Sequence, residues 1–342
     1  MTTLALTMTA LDGAMIAWFT LTLLSLVLLS FDLATNSPVS WVQKLGWWLV
    51  VLYTGPVGFI AYLHACRRPF PGGHDRFTRP TWKQGINSEV HCLAGDATGI
   101  LIAAVVASSL GLAAGWELLL EYGAGFASGL FVFQALMMLG MFEGRYLLAV
   151  RRTIFAETVS MNFVMLGMLP TMVLLAAAWP ESREPTNAAF WFRMSLASVA
   201  GGVTAFPINH WLVARRLKHG CMTLPGADRA DDALDGSHRS PEPPGAHAHE
   251  HHHDHAGMSG HGAMSMPAST PTSRGGEHAG GEAASGHGHG MDHGGHDHGE
   301  EHAGHGMARL SPGVAAGWVV GTSIMLVAVM MLVASIVTIP FD

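Results

Sequence analysis

Seven blocks of about 20 consecutive, mainly apolar residues dominate this chain, and each is long enough to cross the hydrocarbon core of a bilayer. They run Leu11–Phe31, Leu45–Cys66, Ala94–Leu112, Tyr122–Phe142, Phe155–Trp179, Phe190–Val213 and Pro312–Thr338. The blocks are apolar all round and do not alternate, so they read as helices and not as strands of a transmembrane barrel. Charged residues make up 13% of the 342 and hydrophobic ones 49%, too little charge to solvate a large globular surface. A soluble enzyme, a disulfide-stapled secreted domain and a nucleic-acid binder are all disfavoured. The expected fold is all-α: a polytopic helical membrane protein of about seven spans with one long soluble insertion. No Lys or Arg precedes the first block and no A-x-A-like site follows it, so it is read as a retained helix and not a signal peptide.

Lys and Arg alternate between the connections. The second holds Arg67, Arg68, Arg76, Arg79 and Lys83, the fourth Arg145, Arg151 and Arg152, and the sixth opens with Arg215, Arg216 and Lys218. The first, third and fifth contain only Lys44 and Arg183. By the positive-inside rule the amino terminus and the sixth connection are expected in the cytoplasm and the carboxyl terminus outside. Cys66, Cys92 and Cys221 then all fall at cytoplasmic helix ends, where thiols stay reduced.

The sixth connection is compositionally separate. From Ala227 to Met307 it is rich in Gly, Ala, Pro and His and nearly free of large apolar side chains, a composition expected to be disordered. Sixteen of the 21 histidines lie between His238 and His305. They recur at spacings of one and two, as His247 with His249, the run His251, His252, His253 and His255, His261, His287 with His289, His293, and His296 with His298. Neighbouring imidazoles at such spacings can reach a common cation, and the interleaved Glu250, Asp254, Asp292 and Asp297 ease the gathering of positive charge. Imidazole alone suits zinc, copper and nickel alike. Met258, Met264, Met266, Met291 and Met307 tilt the choice to copper, because thioether sulfur is a soft ligand that favours Cu(I). The stretch from Asp254 to Met266 resembles the Met-His repeats of bacterial copper-resistance proteins. The segment is expected to act as a metal buffer, sensor or delivery arm, with zinc or nickel as alternative cargo.

Polar groups inside the spans form a second set. Glu89, His91, Cys92 and Asp96 open the third span, Gln134 and Glu143 close the fourth, Glu157 and Asn162 begin the fifth, and Asn209 and His210 end the sixth. With the alternating topology these groups share one level of the inner half, and intramembrane ionisable groups mark functional sites by default. Cys92 and Asp96, four apart, share a helix face. Met137 with Met141 and Met161 with Met165 pair in the same way and form either a soft path for a monovalent ion or core packing. The site residues expected to meet metal are Glu89, His91, Cys92, Asp96, Met161 and Met165, together with the loop histidines and Met258. Gly125 and Gly129 permit close helix approach, and Pro56, Pro170 and Pro207 are expected to kink or end helical turns.

Several motifs carry a resemblance to a family. Glu89-Val90-His91-Cys92-Leu93-Ala94-Gly95-Asp96, Glu157-Thr158-Val159-Ser160-Met161-Asn162 continuing to Gly167-Met168, Thr204 to Leu212, and Lys218-His219-Gly220-Cys221-Met222 occur in that order. This region, about residues 82–222, resembles the bacterial membrane family catalogued as domain of unknown function 4396. His210 departs from the family pattern, which has an aromatic residue there. The resemblance implies a compact helical core with no settled activity in a bacterial cytoplasmic membrane, and a loose association of some members with copper-handling proteins. The chain then divides into residues 1–81 with two spans, the family-like core 82–222, the His-rich connection 223–310 and a last span at 311–342. Copper transport or delivery is the leading expectation. A membrane scaffold with a metal-binding arm is the second, and an oxidoreductase with haem on His64, His91 or His210 the third. The lipid bilayer, metal ions, and copper chaperones or oxidases are the expected partners, and no catalytic residue is assigned.

Overall fold

The computed structural model describes residues 2–68, 73–220 and 308–340. They fall in one compact unit, and all the loop histidines and methionines named above lie outside the described residues. Among the described residues every regular element is helical. They are α1 (Thr2–Thr35), α2 (Trp41–Thr54), α3 (Pro56–Ala65), the short α4 (His74–Thr78), α5 (Thr81–Leu110), α6 (Ala114–Ala127), α7 (Ala135–Met138), α8 (Tyr146–Ala178), α9 (Ala188–Ala214) and α10 (Pro312–Ile336). Between α6 and α7 the chain runs on without a break as a π-helix, Ser128–Gln134, and a 3₁₀ turn, Leu139–Phe142, follows α7.

Five helices are long and apolar enough to cross a membrane: Ala10–Thr35, Thr81–Leu110, Ala114–Phe142, Tyr146–Ala178 and Pro312–Ile336. The other two expected spans take a different form. The block 45–66 is divided at Gly55 and Pro56, where Gly55 turns to φ 59° and Pro56 starts a new helix because it lacks the N–H that would continue the old one. The sixth block forms the continuous α9, whose Arg193, serines, glycines and Asn209 dilute its apolar character below the other five. Pro170 and Pro207, in contrast to Pro56, lie inside uninterrupted helices. Most spans extend beyond their apolar cores, α5 by a full 81–93 segment containing Lys83 and Glu89.

Helix α5 is the centre of the bundle and packs against α6, α9, α2 and the π-helix, while α8 packs along α9 and α10. The outer faces of α1 and α10 carry exposed Ile16, Leu23, Phe31, Ile324 and Met331, the surface a lipid-facing helix needs. Close approach in the middle depends on glycine. A Cβ on Gly99 would strike the Ala124 carbonyl oxygen and stand 2.6 Å from its carbon and 2.8 Å from Gly125 Cα. Backbone cannot rotate aside as a side chain can. Gly99→Val is therefore expected to cost about 3 kcal/mol, at the upper end of overpacking. Gly123→Ala, whose Cβ would meet nothing within 4 Å, should cost nothing. Denaturant unfolding of the two variants in detergent checks the contrast.

Candidate functional site

Cys92 and Asp96 stand one turn apart on α5 and face Glu157 of α8. One donor atom from each of the three lies within 4.8 Å of the others, and all three residues are fully buried. The Cys92 thiol donates to Glu157 Oε2 at 2.7 Å. A fourth group closes the cluster from beyond the end of α9. Lys218 is 2% exposed, and its ammonium donates to Cys92 Sγ at 2.7 Å and to Asn209 Oδ1 at 2.8 Å. Ser160 donates to the same Asn209 oxygen at 3.0 Å, and the Asn209 amide donates to Ala205 O at 3.1 Å. Asn209 thus holds Lys218 from a fixed orientation.

Local backbone explains how these groups meet. After α9 the chain turns back through Arg216 at φ 58°, a left-handed conformation, and buries Leu217 before Lys218 enters the bundle. Ala308 N donates to Arg216 O at 2.9 Å, so the chain returns from the His-rich connection to the strap that carries Lys218. On the other side Gly129 of the π-helix faces the carboxylates, and a Cβ there would collide with Asp96 Oδ1 and Glu157 Oε1. π-Helical turns often occur at functional sites. Here the turn and its glycine leave room that a side chain would occupy.

Two carboxyl groups and a thiol meet one ammonium. Asp96 hydrogen-bonds Glu157 carboxyl to carboxyl, and no N–H or hydroxyl donor of another residue reaches either Asp96 oxygen or Glu157 Oε1 among the described residues. The cluster therefore sets one lysine side chain against two carboxyl groups and a thiol in a buried space. Buried polar oxygens without donors are costly. A cation arriving at Asp96 and Glu157 would satisfy them, and a Cys92 thiolate would add a soft ligand after losing its proton.

The other expected site residues are not all drawn in. His91, next to Cys92 and so about 100° round the helix, points to α2, where Nε2 lies 2.7 Å from Gln43 Oε1. Glu89 faces a separate apolar cavity of about 290 Å³ that Trp47, Leu93 and Phe206 also line. Met165 is fully buried in the core; Met161, one turn beyond Glu157, packs its Cε against Gly125. Asn162 accepts from Tyr122 at 2.8 Å and donates to Thr322 and Ser323, tying α6, α8 and α10 together. Asn209, by contrast, belongs to the site. Glu157 and Lys218 were absent from the ligand set read from sequence. Glu157 opens one of the family-like motifs, and Lys218 opens another.

The fold and its five apolar helices define a multi-pass helical membrane protein. Residues 81–218 match the model of a family described as domain of unknown function (DUF4396), which bears out the resemblance carried by the Glu89–Asp96, Glu157–Met168 and Thr204–Leu212 motifs. The match begins with α5 and ends at Lys218, so it encloses every member of the cluster. No curated protein matches the chain, and no solved structure matches it.

Proposed function

We propose that this protein handles metal ions in a bacterial cytoplasmic membrane, binding a cation at Cys92, Asp96 and Glu157 and exchanging it with the His- and Met-rich connection. The observation that carries this reading is the buried cluster of one thiol and two carboxyl groups on α5 and α8. Copper is the cargo the connection suits best, through its thioethers and imidazoles. In the core, one thiolate and two carboxylates form a borderline set that also accepts zinc. The connection, not the core, therefore selects the metal. By the Lys and Arg distribution the cluster lies in the cytoplasmic half, the connection is cytoplasmic and the carboxyl terminus is external. Copper chaperones or oxidases are then the exchange partners on that face.

Lys218 favours a second reading. A lysine that already neutralises the cluster is what a purely structural polar core would contain, and the membrane part would then only scaffold a metal-binding arm. Flux separates the two. In proteoliposomes, metal uptake by the full-length protein is expected to fall at least tenfold in Asp96→Asn. Deletion of about residues 236–307 should remove most bound metal equivalents while the core stays folded. Absence of flux in the wild type would leave the scaffold.

A further inference from the structure

At the end of the bundle opposite Lys218, a cavity of about 590 Å³ opens between the C-terminus of α5, the start of α6, the Pro180–Arg183 turn, the N-terminus of α9 and residues 337–340. Gly115 N donates to Pro340 O at 2.8 Å, which ties the segment after α10 to the first turn of α6. The charged side chains on the wall are graded in depth. Glu121 of α6 and Arg193 of α9 are buried, Glu117 is half-buried, and Arg183 and Glu184 are exposed. The exposed pair marks the mouth of the cavity, and the buried pair its floor.

The two floor residues are of opposite charge, and each is left incomplete. Neither Glu121 oxygen has a hydrogen-bond partner among the described residues, and neither does Arg193 Nε. Arg193 reaches Met172 O from Nη1 only at 3.4 Å. No ion pair within 4 Å joins Glu121 to Arg193 among the described residues, although both line the same cavity. Buried polar groups in this state are costly and call for a partner. The wall constrains that partner from both sides. A lone anion would face Glu117, Glu121 and Glu184, and a metal cation would face two guanidiniums. A molecule with an N–H-bearing cation at one end and anionic oxygens at the other satisfies both floor residues. Its depth in the membrane fits as well. The apolar helices end at Leu110, Ala178 and Ile336 and begin at Ala114 around this cavity, where the polar headgroups of a bilayer lie.

We propose that this cavity binds a phosphoethanolamine group, its ammonium donating to Glu121 and its phosphate accepting from Arg193, as a phospholipid headgroup or as a free zwitterion. Guanidinium suits a phosphate because its N–H groups form a planar fork that matches two oxygens. Arg183 brings a second guanidinium at the mouth, held there by its Nε, which donates to Ala176 O at 3.1 Å. Glu117, at half depth, offers the ammonium a second acceptor. Apolar Leu118, Val173, Val337 and Ile339 on the same wall suit the carbon atoms between and beyond the two charges. Choline in place of ethanolamine removes the N–H that Glu121 accepts, and glycerol removes the cation. The site therefore selects by the ammonium and not by the phosphate. No residue of the Cys92 cluster takes part, so the proposal is independent of the metal-binding reading.

Native mass spectrometry tests the lipid form on the full-length protein released from nanodiscs of equal parts phosphatidylethanolamine, phosphatidylcholine and phosphatidylglycerol. The wild type should retain one phosphatidylethanolamine at least fivefold over either other lipid. Glu121→Gln, which keeps the side-chain volume, should lose that preference to within twofold. Arg183→Gln, at an exposed position where folding is not at stake, should weaken retention at least threefold. The free form is read by phosphorus NMR line broadening of phosphoethanolamine added to the protein in detergent, again with loss in Glu121→Gln. Retention of the lipid assigns the site to the bilayer, and binding of phosphoethanolamine without any lipid preference assigns it to a soluble zwitterion. Equal retention of the three lipids together with no binding of phosphoethanolamine would overturn the proposal, and so would survival of the wild-type preference in both variants. The comparison of ethanolamine with choline in the wild type needs no variant, so it decides the matter even if Glu121→Gln does not fold.

Discussion

Lys218→Met is expected to destabilise the metal-free protein by about 3–5 kcal/mol, the usual consequence of removing one partner from a buried ion pair. Methionine keeps the length and volume of the lysine stem, so the change removes charge and hydrogen bonds and little packing. Cys92 Sγ and Asn209 Oδ1 lose a donor, and Glu157 and Asp96 lose the ammonium that balances them. The same variant should bind metal more tightly, because the arriving cation no longer competes with a tethered one. A tenfold gain in affinity corresponds to about 1.4 kcal/mol. Metal at a hundredfold excess over its dissociation constant would then return about 2.7 kcal/mol of the lost stability. Denaturant unfolding with and without Zn²⁺ reads both effects together. A structural ion pair would show the loss without the rescue.

The membrane architecture was legible because bilayer thickness imposes a length on apolar sequence, and five of the seven blocks stand as long apolar helices. The helices outrun their apolar blocks where the added turns are polar yet packed against protein. In α5 the segment before Ala94 contains Asn87, Ser88 and Glu89, all buried by neighbouring helices that no apolar window detects. The break at Gly55 is local chemistry. The continuity of α8 and α9 through Pro170 and Pro207 depends on what packs around each proline, and a sequence pattern does not contain that.

Half of the site could be read in the same local way. Cys92 with Asp96 is an i, i+4 pair, and neighbouring His91 necessarily points elsewhere. Glu157 joins them only because α8 packs against α5, a tertiary fact that its position at a span entrance does not disclose. Lys218 was counted as a topology charge, one of three beside a span. Its entry into the bundle needs the reversal at Arg216, a left-handed residue that is not glycine and so carries no compositional signal. Gly125 and Gly129 were correctly seen as sites of close approach. What approaches Gly129 is the pair of carboxylates at the centre of the cluster, more than helix packing alone.

If Cys92 ligates metal inside the helical core, its thiolate gives a signature that the His- and Met-rich connection cannot supply. Cobalt(II) substituted into a zinc-type site with a thiolate ligand gives a sulfur-to-metal charge-transfer absorption, whereas imidazole, thioether and carboxylate ligands do not give that thiolate band. The full-length protein with Cys66 and Cys221 replaced by Ser keeps Cys92 as its one thiol. Titrated with Co²⁺, it should develop the thiolate band to one equivalent and lose it entirely when Cys92→Ser is added, while Co²⁺ bound by the connection remains. Absence of the band from the parent protein, or its survival in Cys92→Ser, would contradict metal binding at the cluster.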